Sequence, residues 1–211
     1  MPRSRLRFDE LIKDRERIGM LIEGSCVSNI RNGYKVLPEY QEWKKHREFI
    51  AAAIHKSGTI LDIGCANGFL LLCLQNWTDK KLVPYGIDTN YSAVSDARRL
   101  FPRQRRNFVN IGVAELAKPR KYGLPSKFDI IYWAVWDNFQ FSIKEHRKLV
   151  SECLKRVKNG GRLVLGFYDP SRRKNLRRIS QLRGGGFKIQ KVIKNRYHHG
   201  LLLAILEPGA A

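Results

Sequence analysis

The chain has no long hydrophobic run. None of its apolar stretches approaches the ~18 residues needed to cross a bilayer, and the opening residues 1–7, which include Arg3, Arg5 and Arg7, run into no apolar signal core. These absences point to a cytoplasmic protein with no membrane partner. Cysteine is sparse and unpatterned: Cys26, Cys65, Cys73 and Cys153 form no Cys-x-x-Cys pair and sit mostly within apolar runs, so buried thiols are expected and no metal site is legible. Internal repeats and low-complexity tracts are missing too, which excludes solenoids and long disordered tails. Acidic residues are in deficit, with 19 Asp and Glu against 40 Lys and Arg, a formal net charge of +21 over 211 residues.

The positive excess is clustered. Beyond Arg3, Arg5 and Arg7, it gathers at Arg98, Arg99, Arg103, Arg105 and Arg106, at Lys118, Arg120 and Lys121, and at Arg172, Arg173, Lys174, Arg177, Arg178 and Arg183. Clustered arginine suits a polyanion, RNA in the first place, through phosphate contacts and counterion release; a solvated surface is the alternative. A hydrophobic content of 43% is ordinary for one α/β domain of this length.

Strand-like segments recur at Thr59–Ile63, Leu82–Ile87, Asn107–Ile111, Phe128–Val135 and Arg162–Tyr168, each pair separated by enough chain for a crossover helix. That rhythm predicts parallel βαβ units. Ser142 and Glu145 are spaced as a capping box for a helix whose apolar face carries Ile143, His146, Val150, Cys153, Leu154 and Val157, stopped by Asn159, Gly160 and Gly161. A basic helix follows Tyr168. Segments 186–193 and 200–206 are joined by so short a polar stretch that they pair antiparallel, with His198 and His199 in the connection. Before the first strand, Trp43, Ile50, Ala53 and Ile54 fall on one face of a helix beginning near Pro38. Residues 1–36 lack a clear period apart from Phe8, Leu11 and Ile12, with a turn at Arg31–Gly33. They are expected to form an arm or lid on a domain spanning 37–211.

The most informative stretch is Thr59–Gly68, a buried strand and a tight glycine turn, followed by the helix start at Phe69. Gly64 and Gly68 tolerate positive φ or close ligand approach, and the helix N-terminus beyond offers unpaired N–H groups. The second strand ends in Asp88, a carboxylate about 20 residues past the turn, as a ribose acceptor should be. Together they indicate an adenosine compound. Ala66 stands where a dinucleotide site has the glycine that closes on pyrophosphate, which disfavours nicotinamide cofactors.

Leu61–Gly68 resembles motif I of the class I S-adenosylmethionine-dependent methyltransferases, and Tyr85–Asp88 resembles their acidic motif II. Phe128–Val135 and Leu154–Leu165 look like the family's fourth strand and its helix, turn and fifth strand. The resemblance implies a Rossmann-like, doubly wound, seven-stranded and mostly parallel sheet with a C-terminal antiparallel hairpin, and S-adenosylmethionine as cofactor. It implies cofactor contacts from Asp62, Gly64, Cys65, Ala66, Gly68, Asp88, Val113, Ala114 and Trp133, and acceptor contacts from Trp136, Asp137 and Phe139. The chain departs from the family at Ala66, for a common glycine, and at Val113, where an acidic residue often stands; the adenine contact then falls to a backbone group or Glu115. An Asn/Asp-Pro-Pro-Tyr signature of adenine amino methylation is absent, as is any Pro-Cys or Thr-Cys pair for cytosine C5 chemistry. No catalytic base is identifiable, because methyl transfer needs one only when the acceptor must lose a proton first. RNA is the acceptor favoured by the arginine clusters. A small-molecule or protein methyltransferase, or a non-catalytic nucleic-acid-binding protein on the same fold, remain the alternatives.

Overall fold

The computed structural model describes residues 8–25, 39–136 and 138–208. Arg3, Arg5, Arg7, Cys26, the Arg31–Gly33 turn, Pro38 and Asp137 lie outside them. Seven strands, β1 (Gly58–Ile63), β2 (Leu82–Ile87), β3 (Phe108–Val109), β4 (Phe128–Ala134), β5 (Val157–Phe167), β6 (Ile189–Lys194) and β7 (Leu202–Leu206), form one sheet in the order β3-β2-β1-β4-β5-β7-β6. All pairings are parallel except those of β7, which runs antiparallel to β5 and β6. This is the doubly wound sheet with a terminal hairpin, its order reversing beside β1.

Among the described residues the helices that accompany it include α1 (Arg15–Gly24), α2 (Tyr40–Arg47), α3 (Phe69–Trp77), α4 (Tyr91–Leu100), α5 (Lys144–Lys155) and α6 (Arg172–Gly184). Strand alternation sorts the core into two layers. Leu61, Ile63, Ile131, Trp133, Leu163 and Leu165 face Val150 and Cys153 of α5 and Ile179 and Leu182 of α6. Ile60, Ile130, Tyr132 and Val164 face Leu71 and Leu74 of α3, Val94 and Ala97 of α4, and the turn containing Ile50 and Ala53. A third cluster joins Phe8, Leu11, Ile18 and Ile22 to Tyr40, Trp43, Phe69 and Cys73, so residues 8–25 pack on α2 and α3. Cys65, Cys73 and Cys153 are buried free thiols, and among the described residues no helix is long and apolar enough to cross a membrane.

Three local expectations fail for physical reasons. The helix after β4 begins at Lys144 with Ile143 at the cap and no side-chain cap bond, so the Ser142–Glu145 box does not form. Arg147 instead donates to the carbonyls of Phe141 and Ser142, at 2.9 and 2.7 Å, and this holds Ser142 in the loop. The Asn159–Gly161 stretch, expected to end that helix, lies within β5: Val157 pairs with Phe128, and a register shift then brings Arg162 opposite Ile130. Val157 is therefore a buried strand residue and not part of the helix face. Finally, β3 shrinks to two residues. Pro84 of β2 has no N–H to offer, and its carbonyl accepts from the Asn107 side chain at 2.9 Å in place of a ladder bond.

Candidate cofactor and acceptor site

The turn after β1 is fastened to the end of β2. Gly64 and Cys65 both donate to the carbonyl of Ile87, at 2.8 and 3.0 Å, and Gly68 donates to that of Cys65 at 2.8 Å. Gly64, Ala66 and Gly68 have φ of 78°, 46° and 75°. Ala66 is the only non-glycine in the left-handed region among the described residues, a conformation costing about 1–2 kcal/mol for a residue with a Cβ. The Asp88 carboxylate holds it there: Oδ2 accepts from Ala66 N at 2.9 Å, while Oδ1 accepts from Asn90 N at 2.8 Å just before α4. Each oxygen keeps a further lone pair. A Cβ placed on Gly64 would meet nothing within 4 Å, so the backbone here borders open space, whereas one on Gly86 would strike Cys65 Sγ at 2.6 Å. Cys65 thus points inward as a packing residue.

Asn67, not singled out by its sequence position, ties the turn to its surroundings. Its Oδ1 accepts from Phe69 N at 3.1 Å, and its Nδ2 donates to the carbonyl of Leu21 at 2.9 Å, which anchors the last turn of α1 beside the glycine turn.

Asp62 stands opposite Tyr132 in the β1–β4 register and is only 3% exposed. Burial, reinforced by the charge of Asp88, pushes its carboxyl up to about 8, while the Arg47 guanidinium pulls the other way. The Tyr132 and Tyr168 hydroxyls are 2.7 Å apart, and the Arg47 guanidinium lies 4.1 Å from the centre of the Tyr168 ring. Both phenols are raised, chiefly by burial. Arg47, Tyr132 and Tyr168 were missed in sequence. Tyr168 did carry a signal, a tyrosine at the carboxyl end of a parallel strand; Arg47 carried none, because only the docking of α2 brings it over the sheet.

On the other side of Asp88, Val113 and Ala114 open a short helical turn, Val113 half-buried and Ala114 exposed. The Glu115 carboxylate and the Thr89 side chain both border Gly112, since a Cβ there would come within 3.1 Å of Glu115 Oε2 and 3.5 Å of Thr89 Cγ2. Asn110 Nδ2 donates to the Asp88 carbonyl at 2.8 Å. Glu115 is thereby placed beside the segment where Val113 replaces an acidic residue.

The aromatic residues after β4 divide differently from expectation. Trp133 is 3% exposed and edge-on to Phe139 at 4.9 Å between ring centres; Phe139 is itself buried and stacked on His146 at 4.2 Å. Alternation along β4 turns Trp133 to the α5–α6 face, opposite to Asp62, so both rings are packing residues and not open stacking surfaces. Trp136 remains open, 46% exposed. Arg178, counted by sequence among the phosphate-binding arginines, is also corrected. It is buried, and Nη2 donates to the carbonyls of Val135 and Phe139, each at 3.3 Å, and of Trp136. Its guanidinium lies 5.1 Å from the Phe167 ring centre and 5.8 Å from that of Phe141. His198 stacks on His46 at 3.5 Å, a contact between the hairpin connection and α2.

At the carboxyl edge of the sheet, then, an open glycine turn, a carboxylate with spare acceptor capacity and a buried acid converge. A ribose diol matches Asp88, and a cationic amino-acid end would relieve the cost of ionising Asp62. A pyrophosphate would bring negative charge toward two carboxyl groups. The donor set fits S-adenosylmethionine.

Comparison with known proteins agrees. Residues 60–161 match a family model described as a methyltransferase domain. No curated protein is significantly similar in sequence. Among solved structures, an S-adenosylmethionine-dependent methyltransferase from Aquifex aeolicus superposes with a TM-score of 0.57 at 18% identity, covering 92% of this chain and 97% of its own. Aeropyrum pernix fibrillarin, solved with natively bound S-adenosyl-L-methionine, gives 0.55 at 20% identity over 78% of this chain and 76% of its own. The N-methyltransferase NodS from Bradyrhizobium japonicum gives 0.55 at 16% identity over 80% and 97%. With two motifs joined on one seven-stranded sheet and a family match across both, residues 60–161 form a methyltransferase domain, and the fold is that of the S-adenosylmethionine-dependent methyltransferases.

Proposed function

We propose that the methyl acceptor is RNA. The observation that carries this reading is the charge of α6, whose sequence holds no Asp or Glu. Arg172, Arg173, Arg177 and Arg183 are exposed, and none has an ion pair with a described acidic residue. On other helices some basic residues are paired locally, Lys45 with Glu42, Arg99 with Asp96 and Lys155 with Glu152, and on α6 Lys174 pairs with Asp169 at 3.4 Å, which leaves the four arginines. A row of exposed arginines on one helix without acidic residues suits an external polyanion. The helix also starts directly after the carboxyl end of β5, the edge at which ligands of such sheets bind.

When bound, S-adenosylmethionine supplies a methyl group on a sulfonium centre. The chain's own contribution is alignment. Asp88 would orient the ribose while bracing the turn, and the backbone at Gly64 leaves room for close approach. Asp62, with Arg47 nearby, would compensate the charged amino-acid end. No described residue is required as a general base.

Tritiated methyl transfer from S-adenosylmethionine into RNA, protein and small metabolites, measured side by side, tests the reading. Label in RNA is expected. Label confined to metabolites or protein would refute RNA as acceptor without touching the family assignment.

A further inference from the structure

We propose that the segment after β4 and the outer face of α6 form one rigid reading surface for single-stranded RNA, with a base stacked on Trp136 and phosphates held by Arg172, Arg173 and Arg177, and that Arg178 is the positioning residue joining the two. This rests on the RNA reading above and assigns its surface.

A single exposed aromatic residue is common on protein surfaces. Trp136 differs because a buried cation is committed to its backbone. Desolvating a guanidinium is expensive, and Arg178 turns one nitrogen to the loop, where the carbonyls of Val135, Trp136 and Phe139 all accept from Nη2. Phe141 and Phe167 pack beneath the cation. The indole is therefore exposed on a fixed backbone, which lowers the entropic cost of stacking a ligand on it.

The same helix supplies the charge. Asn175, Arg178, Ile179 and Leu182 form the buried face of α6, and Arg172, Arg173 and Arg177 are exposed on the rest of its first two turns. Arg173 and Arg177 are one turn apart, about 6 Å along the axis. Because Arg178 is a residue of α6, the phosphate contacts and the stacking platform move as one body. The loop itself follows the carboxyl end of β4, beside β1 and its glycine turn.

Single-stranded RNA fits this pairing. Bases within a duplex are already stacked, whereas splayed bases stack on aromatic side chains. An acidic peptide would satisfy the arginines and make no use of an open indole.

Fluorescein-labelled oligouridylate, a labelled RNA duplex and labelled polyglutamate, titrated at several salt concentrations and followed by anisotropy, separate the possibilities. Wild-type protein should prefer oligouridylate. Trp136→Ala should weaken that binding about tenfold, and Trp136→Phe should restore most of it. The triple change Arg172→Gln, Arg173→Gln, Arg177→Gln should reduce the slope of log affinity against log salt by about 2, at ~0.7 per contact on a single strand. Arg178→Lys should weaken oligouridylate binding in the wild-type background, yet add little once Trp136 is Ala, because it acts through that ring. Should Arg178→Lys fail to fold, the Trp136 and triple variants still decide the surface.

S-adenosylhomocysteine affinity, measured on each variant, should stay at the wild-type value. Unaltered oligouridylate binding by Trp136→Ala, an unchanged salt slope in the triple variant, or equal binding of polyglutamate or duplex would overturn the surface. Loss of S-adenosylhomocysteine binding by the wild type would instead overturn the methyltransferase assignment.

Discussion

Replacing Asp88 by Ala perturbs two functions of one side chain, and the two can be measured separately. Its oxygens accept from Ala66 N and Asn90 N at 2.9 and 2.8 Å, so the carboxylate braces the glycine turn and the approach to α4 before any ligand arrives. In the sequence Asp88 reads as a ribose acceptor alone. The structure adds a stability cost. Both N–H groups lie in a partly exposed region and regain water when the carboxylate is lost, so about 1 kcal/mol each is the appropriate scale, near 2 kcal/mol in total. For a chain of this size that lowers the melting temperature by roughly 4–8 °C.

The ligand cost is larger. Two ribose hydroxyls lose a charged acceptor at ~1.5–3 kcal/mol each, which corresponds to roughly 10²–10⁴-fold in affinity. Calorimetric titration with S-adenosylhomocysteine reads the second effect, and a thermal melt without ligand reads the first. Asp88→Asn keeps one carbonyl acceptor and should fall between wild type and Asp88→Ala in both. A folded Asp88→Ala variant that binds within threefold of wild type would remove the carboxylate from the site. Normal melting with lost affinity would refute its bracing role.

Three further outcomes follow from neighbouring residues. Asp62 has a folded value pushed up to about 8, so between the unfolded value near 4 and pH 8 the native state holds a proton that the unfolded chain has released. Its contribution to stability is complete below about pH 4 and is lost as pH rises to 8; Asp62→Asn should therefore melt above wild type at pH 8, with the margin closing toward pH 4, while binding S-adenosylmethionine more weakly. A wild-type melting curve indistinguishable from the variant at pH 8 would refute the burial argument. Ala66→Gly should be neutral or stabilising by up to ~1 kcal/mol, since relief at φ 46° is offset by unfolded-chain entropy, whereas Ala66→Val should destabilise clearly in the same thermal assay. Asp129 is opposed by burial but held well below the carboxylate range by Lys158 and Thr59. Its stabilisation is complete above about pH 4 and falls away progressively on further acidification, so Asp129→Asn should cost ~1–3 kcal/mol at pH 7 in a denaturant titration and steadily less as pH drops below about 4.

The parts of the fold that could be read in sequence are those whose signals are local. β2 runs from Leu82 to Ile87 as expected, because an apolar stretch ends at once in an acidic residue, and the Gly64–Gly68 turn is announced by its own glycines. What could not be read depended on which neighbour won. Asn159–Gly161 has the composition of a helix stop and serves as an irregular segment of β5, since the partner strand β4 reaches back to Phe128. The Ser142 capping signal is overridden by Arg147, a donor from the first turn of the same helix that reaches back to the Ser142 carbonyl. Trp133 and Trp136 look alike in an aromatic run, and only strand alternation decides that one is core and the other open. Arg177 and Arg178 are adjacent in a charge run, yet one is exposed and the other lies buried beneath the loop. Arg47 reaches the Asp62 region from a helix that precedes the whole nucleotide-binding motif, and no spacing rule connects them.

The most direct test of the central claim is a paired calorimetric titration of the wild-type chain with S-adenosylhomocysteine and with NAD under identical conditions. A ligand that binds only the folded site also raises the melting temperature, by ~2.7 kcal/mol of stabilisation at a hundredfold excess over its dissociation constant. The structure leads to saturable binding near one equivalent of S-adenosylhomocysteine, a matching rise in melting temperature, and neither response to NAD. Absence of both responses to S-adenosylhomocysteine, or equal responses to NAD, would contradict the account.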